Sequence, residues 1–290
     1  MLSRPTSLKE NKTIRILEDA EKGGYGVIAA VAYNLEHIVA FVRAAERKRS
    51  PLIIQFFPWA ITFSDGLLVH AAAQAARNAA VPIAVHLDHA QDPAQIRYAA
   101  DNLPFDSIMV DMSHHEKEEN LALTKELVAY CHERGIATEA EPGRIEGGED
   151  GIADTAELQG FMTTEQDVED FLATGVDFLA PAFGNIHGEY GPKGPQLDWE
   201  RLSYIHRVAN GRVRLALHGT NGFTEKVTRE CIRRGISKVN VNKLVLEDYL
   251  KHLKESASKL TLTQLMEEGV THVTKLVEQQ MDICMSSNKA

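Results

Sequence analysis

The apolar run Val81-Pro82-Ile83-Ala84-Val85 ends in His86-Leu87-Asp88-His89, so three ionisable side chains follow directly on residues that read as a buried strand. Polar groups in such a place are costly unless a metal, a charge partner or a hydrogen bond compensates them. A metal site with a proton-transferring carboxylate beside it accounts for the cluster, provided that the rest of the chain supplies the missing ligands. Of the 12 histidines, two more stand near the ends of apolar runs: His187 in Phe183-Gly184-Asn185-Ile186-His187-Gly188, and His218 in Leu215-Ala216-Leu217-His218-Gly219. Three imidazoles with an open fourth position make a catalytic zinc site. Any one of them alone reads equally well as a satisfied polar residue at a strand end; three at matching ends read as a ligand set.

Asp88 shares the parity of Ala84 and His86, whereas Ile83, Val85 and Leu87 point the other way. It is a candidate general acid/base beside the metal, or else the carboxylate that orients a ligand imidazole. His86, one layer deeper, reads as a buried hydrogen-bonding residue. Further acidic groups follow at Asp111, Glu139 and Glu141, and Glu149 and Asp150 lie in a glycine-rich stretch with Gly147-Gly148. Such a stretch can serve as a lid that carries a carboxylate to the site, although on local sequence alone a solvated acidic loop is the simpler reading. Asn240 is a neutral donor at the end of the last apolar run.

The elements that must position these residues alternate along the chain. Short apolar runs at Tyr25–Val31, Leu52–Phe56, Ile83–Leu87, Ser107–Val110, Ile136–Glu139, Val176–Ala180, Val213–Leu217 and Ile236–Val239 read as strands. Between them lie helical stretches with cap signals: Asn34, Asp92-Pro93, Thr163/Thr164 and Thr224 at their starts, Gly135 and Gly175 at their ends. Strands alternating with helices predict a parallel sheet with right-handed crossovers. A doubly wound open sheet would alternate in the same way, but its GxGxxG after the first strand is absent. The expectation is an α/β protein, a (β/α)8 TIM barrel over residues 1–290 as one domain, with extra N-terminal and C-terminal helices. In such a barrel the active site lies at the C-terminal ends of the strands, where His89, His187, His218 and Asp111 would meet.

Bulk properties exclude some partners. The 31 basic and 41 acidic residues give a net charge of −10, so neither nucleic acid nor an anionic membrane is expected as a partner. An anionic small substrate is still compatible, because a metal and local backbone donors can override the global field. Cys131, Cys231 and Cys284 are far apart and form no CxxC pair, which reads as reduced thiols and a cytoplasmic protein. No run approaches the ~18 apolar residues of a membrane span.

Five motifs together resemble the class II, zinc-dependent fructose-bisphosphate and tagatose-bisphosphate aldolases. They are His86-Leu87-Asp88-His89, Glu139-Ala140-Glu141-Pro142-Gly143-Arg144, His187-Gly188, Leu217-His218-Gly219-Thr220-Asn221-Gly222 and Lys238-Val239-Asn240-Val241. The likeness runs in order from about Tyr25 to Val241, and faintly to the Ser287-Asn288-Lys289-Ala290 end. It implies that His89, His187 and His218 hold a catalytic Zn2+, and that Glu141 stands where some members have an extra metal ligand. It assigns Asp88 the proton of the substrate's C4 hydroxyl and Glu149 the proton at the enediolate carbon. Asn240, with Val241, Asn242 and Lys243, would contact the dihydroxyacetone phosphate part. Gly188, Gly219, Thr220 and Asn221 would form the phosphate and monovalent-cation (Na+ or K+) loop. The implied reaction is reversible cleavage of a ketose bisphosphate, fructose 1,6-bisphosphate first, to dihydroxyacetone phosphate and an aldehyde, in a homodimer or homotetramer.

The chain departs from that pattern at several positions. Asn221 replaces the usual serine, Lys243 the usual threonine and Phe57 the usual serine after the second strand, while Lys193 lies about two positions late. The early asparagine motif is reduced to Val31-Ala32-Tyr33-Asn34. These changes open a second reading, the same chemistry on a mono- or non-phosphorylated ketose. A non-catalytic sugar-phosphate-binding protein explains Asp88 and Glu149 less well. A hydrolase on the same barrel would want further histidine ligands near the first strand, where there are none.

Overall fold

The apolar runs become the staves of a closed barrel whose strands follow one another in sequence order, every neighbouring pair parallel. The structure is a computed structural model that describes residues 7–148 and 160–290. The chain opens with α1 (Lys12–Gly23), then β1 (Val27–Val31), α2 (Leu35–Lys48), β2 (Leu52–Phe56), α3 (Pro58–Ser64), α4 (Leu67–Asn78) and β3 (Ile83–Ala90). It continues through α5 (Pro93–Asn102), β4 (Ser107–Val110), α6 (Lys117–His132), β5 (Ala137–Ala140), α7 (Glu165–Leu172) and β6 (Phe178–Leu179). It ends with α8 (Trp199–Ala209), β7 (Arg214–Leu217), α9 (Glu225–Arg233), β8 (Ile236–Val241), α10 (Lys243–Ser256) and α11 (Leu262–Ile283). The TIM barrel with flanking helices expected from the sequence is therefore what forms. Among the described residues, no helix is long and apolar enough to cross a membrane.

Cap chemistry sets most helix starts where the sequence marks them. Asn34, Asp92, Thr164 and Thr224 each accept a backbone N–H from the first turn of α2, α5, α7 and α9, which satisfies donors that no intrahelical carbonyl can reach. Two helices fall outside the sequence reading. Helix α3 starts at Phe57, which offers no capping side chain, and relies on Pro58 in its first turn. Helix α8 starts at Asp198, whose carboxylate accepts from Arg201 N.

Strand parity divides the core in two. Ile83, Val85 and Leu87 join the large layer between strands and helices, whereas Ala84 belongs to an interior cluster with Val27, Ala29, Ile53, Ala137 and Phe178. Helix α1 closes the bottom of the barrel through Ile16, Leu17 and Ala20. Asn11 fixes it there by donating to the carbonyls of Asp106 (2.7 Å) and Gly135 (3.0 Å). The upper interior is polar: His86, Asp88, Glu139 and Lys238 are buried, and three of them show no exposed surface at all.

β3 is longer than its apolar run. It continues to Ala90, so Asp88 and His89 lie within the strand and not after it. The β3–β4 register shifts between Leu87 and Ala90, and His89 takes a left-handed backbone at φ 46°. A bulge of this kind breaks the two-residue alternation. Asp88 and its immediate neighbour His89 can then both reach the barrel mouth, at the cost of roughly 1 kcal/mol or more of backbone strain.

Candidate metal centre and substrate cavity

His89 lies one residue before the end of β3, His218 directly follows β7, and His187 lies in the loop after β6. Each offers one ring nitrogen, and these nitrogens all lie within 4.8 Å of one another. Carboxylates fix two of the rings from behind: His89 Nδ1 is 2.8 Å from Asp111 Oδ2, and His218 Nε2 is 2.8 Å from Glu139 Oε1. Burial opposes ionisation of both acids. For Asp111, the hydrogen bond and charge of His89 outweigh burial and depress the pKa. For Glu139, Lys238 and His218 outweigh it and hold the pKa near 2. An ionised carboxylate only accepts, so the outer nitrogens of both imidazoles carry the N–H. His89 Nε2 and His218 Nδ1 face each other at 3.0 Å; burial alone would lower the His89 pKa, but Asp88 and Asp111 outweigh burial and raise it to about 10, so a proton bridges the two nitrogens while no metal is bound. Once that proton leaves, both nitrogens and the third imidazole, His187, offer lone pairs to one point, so the donor set fits a metal ion.

Backbone contacts seat His187. Its N–H donates to Glu146 O at 2.7 Å, and a Cβ on Gly147 would stand 2.2 Å from His187 O, so only glycine allows this approach. Asn185 Nδ2 donates to His218 O at 3.1 Å. Tyr190 Oη accepts from Ile186 N at 3.0 Å and donates to Gly219 O at 2.7 Å. These three bonds lock the loops carrying His187 and His218 to each other.

Asp88 is held apart from the imidazole-orienting role. Its Oδ2 accepts from Gln55 Nε2 (2.9 Å) and Asn240 Nδ2 (3.0 Å), while Oδ1 is buried without a hydrogen-bond partner among the described residues. Burial alone would raise its pKa, but Lys238 and His89 outweigh burial and keep the carboxylate ionised. Asp111 and Glu139 orient the imidazoles instead. His86 is buried and bonds Ser107 Oγ at 2.8 Å. Glu141 belongs to a second group with His89 and Asp111. Burial and the neighbouring Asp111 raise its pKa to about 8; Oε1 accepts from Ile145 N at 2.6 Å and, among the described residues, Oε2 has no hydrogen-bond partner.

An open cavity of about 870 Å³ lies over these groups. Of the residues singled out in the sequence, Asp88, His89, His187, Gly219, Thr220, Asn221, Asn240, Val241, Asn242 and Lys243 line it. His218 and Glu141 are buried behind its wall. Gly188 touches it through Asn221, whose Nδ2 donates to Gly188 O at 3.3 Å. Glu149, like Asp150, lies outside the described residues. Phe57 lines the cavity with its ring 6.2 Å from that of His89. Lys243 pairs with Glu189 and stands 3.6 Å from Glu247. Sequence reading passed over Gln55, although a lone glutamine inside Leu52-Ile53-Ile54-Gln55-Phe56 was a signal for an inward polar contact. It also gave Lys238 no role.

A family model described as fructose-bisphosphate aldolase class-II matches residues 11–289. The chain belongs to the class II fructose-bisphosphate aldolase family. This aldolase is similar to a candidate fructose-bisphosphate aldolase of Coccidioides immitis, 54% identical over 291 residues that span 98% of this chain and 96% of that protein. It is also similar to the fructose-bisphosphate aldolase of Streptococcus pneumoniae, 33% identical over 299 residues, 95% of this chain and 98% of the relative. Among solved structures, a candidate fructose-1,6-bisphosphate aldolase of Coccidioides immitis superposes with a TM-score of 0.95 at 55% identity, covering 97% of this chain and 98% of that one. The YdjI aldolase from Escherichia coli K12 superposes with a TM-score of 0.84 at 28% identity, covering 96% and 98%. The chain is thus a class II, metal-dependent aldolase built on a TIM barrel.

Proposed function

We propose that this aldolase reversibly cleaves a ketose bisphosphate, with fructose 1,6-bisphosphate as the reference substrate, to dihydroxyacetone phosphate and an aldehyde such as glyceraldehyde 3-phosphate. The observation that carries this reading is the convergence of one ring nitrogen each from His89, His187 and His218, with Asp111 behind the first, Glu139 behind the last, and ionised Asp88 on the residue adjoining His89. His89, His187 and His218 are the proposed zinc ligands, and Glu141 is a candidate alternative ligand that shares His89. When bound, zinc supplies Lewis-acid stabilisation of negative charge on substrate oxygens.

The chain's own groups do the rest. Asp88 takes the proton from the C4 hydroxyl as the C3–C4 bond breaks, and Gln55 and Asn240 hold its carboxylate for that transfer. Glu149 is assigned the proton at C3. Asn240 and the turn Val241-Asn242-Lys243 bind the dihydroxyacetone phosphate end. There the backbone N–H groups at the start of α10 suit a phosphate. Gly188 and Gly219-Thr220-Asn221 complete that loop, with a Na+ or K+ ion as its counter-charge. An imine mechanism has little support, since Lys238 is buried against Glu139 and Lys243 is paired with Glu189 and Glu247. A cytoplasmic location and a homodimer or homotetramer are part of the proposal, and light scattering of the purified protein tests the latter.

The test is fructose 1,6-bisphosphate cleavage by protein stripped with a chelator and then reloaded with zinc. Loss and recovery of activity is the expected result; full activity in zinc-free protein overturns the reading. Phe57 supports one alternative, a ketose with a single phosphate. Among the described residues, Lys243 is the one lysine or arginine lining the cavity, and residues 149–159 contain neither. Comparing kcat/KM for fructose 1,6-bisphosphate and fructose 1-phosphate decides: a preference for the bisphosphate removes the alternative.

A further inference from the structure

Lys238 shows no exposed surface, in the middle of the barrel. An ammonium in that position is costly unless its charge is met. Its Nζ lies 2.9 Å from Glu139 Oε2 and 3.9 Å from Asp88 Oδ1. Filling space alone does not account for it, because a methionine would occupy the same volume without a buried charge. The arrangement beyond Glu139 gives a reason for the charge. Glu139 is a bridge: Oε2 meets Lys238 while Oε1 meets His218 Nε2 at 2.8 Å, and His218 Nδ1 then faces His89 Nε2. We propose that Lys238 is a positioning residue of the metal centre, acting through Glu139 to fix the tautomer and orientation of His218.

Without the ammonium, Glu139 and Asp88 would share the buried interior as two carboxylates, with the imidazole of His86 (Nε2 at 3.6 and 3.7 Å) between them. Glu139 would then gain by turning away from Asp88. That turn loosens its hold on His218 Nε2–H. Groups that orient a ligand imidazole typically govern metal affinity by about 10- to 100-fold. Lys238 therefore acts on zinc at one remove, without touching metal or substrate.

The proposal rests on the three-histidine zinc reading, and the test separates the two. Zinc affinity is measured by chelator competition on the full chain for wild type, Lys238→Met, Glu139→Gln, the charge-balanced double variant and His218→Ala, with thermal melting as a control for folding. Lys238→Met is expected to weaken zinc about 10- to 100-fold. The double variant is expected to bind zinc no more weakly than Glu139→Gln. With glutamine at 139, an oxygen still accepts from His218 and no carboxylate needs the ammonium. Losses that multiply, so that the double variant is more than about fivefold weaker than Glu139→Gln, or a Lys238→Met variant with wild-type affinity, overturn the proposal. The comparison between Glu139→Gln and the double variant stands even if Lys238→Met alone does not fold. A merely structural lysine would lower the melting temperature in both Lys238 variants and show no such non-additivity in zinc affinity. Wild-type zinc binding in His218→Ala would instead refute the three-histidine site itself.

Discussion

Replacing Asp88 by asparagine separates proton transfer from metal binding. In the structure Oδ2 accepts two hydrogen bonds, from Gln55 and Asn240, and Oδ1 accepts none among the described residues. An amide oxygen can take the Oδ2 place with both donors intact, and the amide nitrogen falls where no hydrogen bond is lost. The imidazoles are oriented by Asp111 and Glu139, so zinc content should be unchanged. What disappears is the group that accepts the C4-hydroxyl proton. A positioned acid/base contributes about 10²- to 10⁴-fold, so kcat for fructose 1,6-bisphosphate cleavage should fall by that factor. At about 1.36 kcal/mol per decade, the barrier rises by roughly 2.7–5.5 kcal/mol. Exchange of the C3 proton of dihydroxyacetone phosphate with deuterated solvent, followed by NMR, should survive, because it involves no C4 hydroxyl. A variant that keeps kcat within about tenfold of wild type, or one that loses zinc or proton exchange along with cleavage, would refute the assignment.

Other perturbations probe the groups around the site. Burial pushes the His37 imidazole down to about 4 from 6.5. The unfolded chain therefore takes up a proton first as pH falls, and stability is lost between about pH 6.5 and 4, by roughly 3 kcal/mol in all. Urea unfolding at pH 7.5 and 4.5 should show that slope in wild type and a flatter one in His37→Leu. Gly219 has φ 67° and a Cβ there would stand 2.2 Å from Ile186 O. Gly219→Ala should therefore cost at least about 1–2 kcal/mol and release zinc more readily, seen as a lower melting temperature and faster transfer to a chelator. Tyr190→Phe leaves Ile186 N–H and Gly219 O without their shared partner and should cost about 1–3 kcal/mol, measured by chemical denaturation. Phe57→Ser should shift kcat/KM toward the bisphosphate relative to fructose 1-phosphate; an unchanged ratio would remove Phe57 from substrate selection.

The barrel was legible because its strands are short apolar runs between strong caps. Asn34, Asp92, Thr164 and Thr224 mark helix starts by their own side chains, and β2 and β4 run over the residues their apolar stretches predict. Legibility fails where polarity and structure part company. β3 runs on through Asp88 and His89 because Gln55 and Asn240 hold the first and Asp111 the second, and nothing local announces those partners. Helix α3 offers Pro58 but no capping side chain, so its start has only half of the usual signal. The three histidines could be sorted by their place at strand ends. Which carboxylate serves which imidazole could not, since the pairs His89–Asp111 and His218–Glu139 join residues 22 and 79 positions apart.

The same buried charges explain why this barrel needs a cation at its mouth. Asp88, Asp111, Glu139 and Glu141 are all buried within or beside the triad, against the single ammonium of Lys238. Burial would push every one of these acids towards the neutral form. Glu141 yields, its pKa raised to about 8 by burial and Asp111. The other three stay ionised, because Lys238 and the imidazoles outweigh burial. Three carboxylates against one ammonium leave a deficit of positive charge, and it is concentrated where His89 and His218 turn their inner ring nitrogens toward each other. A proton meets that deficit only in part, whereas a divalent ion meets it and takes up the lone pairs as well. Proton binding and zinc binding therefore compete for one site. Lower pH should release zinc before it unfolds the barrel, which a chelator titration monitored in parallel with far-UV circular dichroism would detect. Simultaneous loss of zinc and fold at every pH would instead make the metal a structural staple of the barrel.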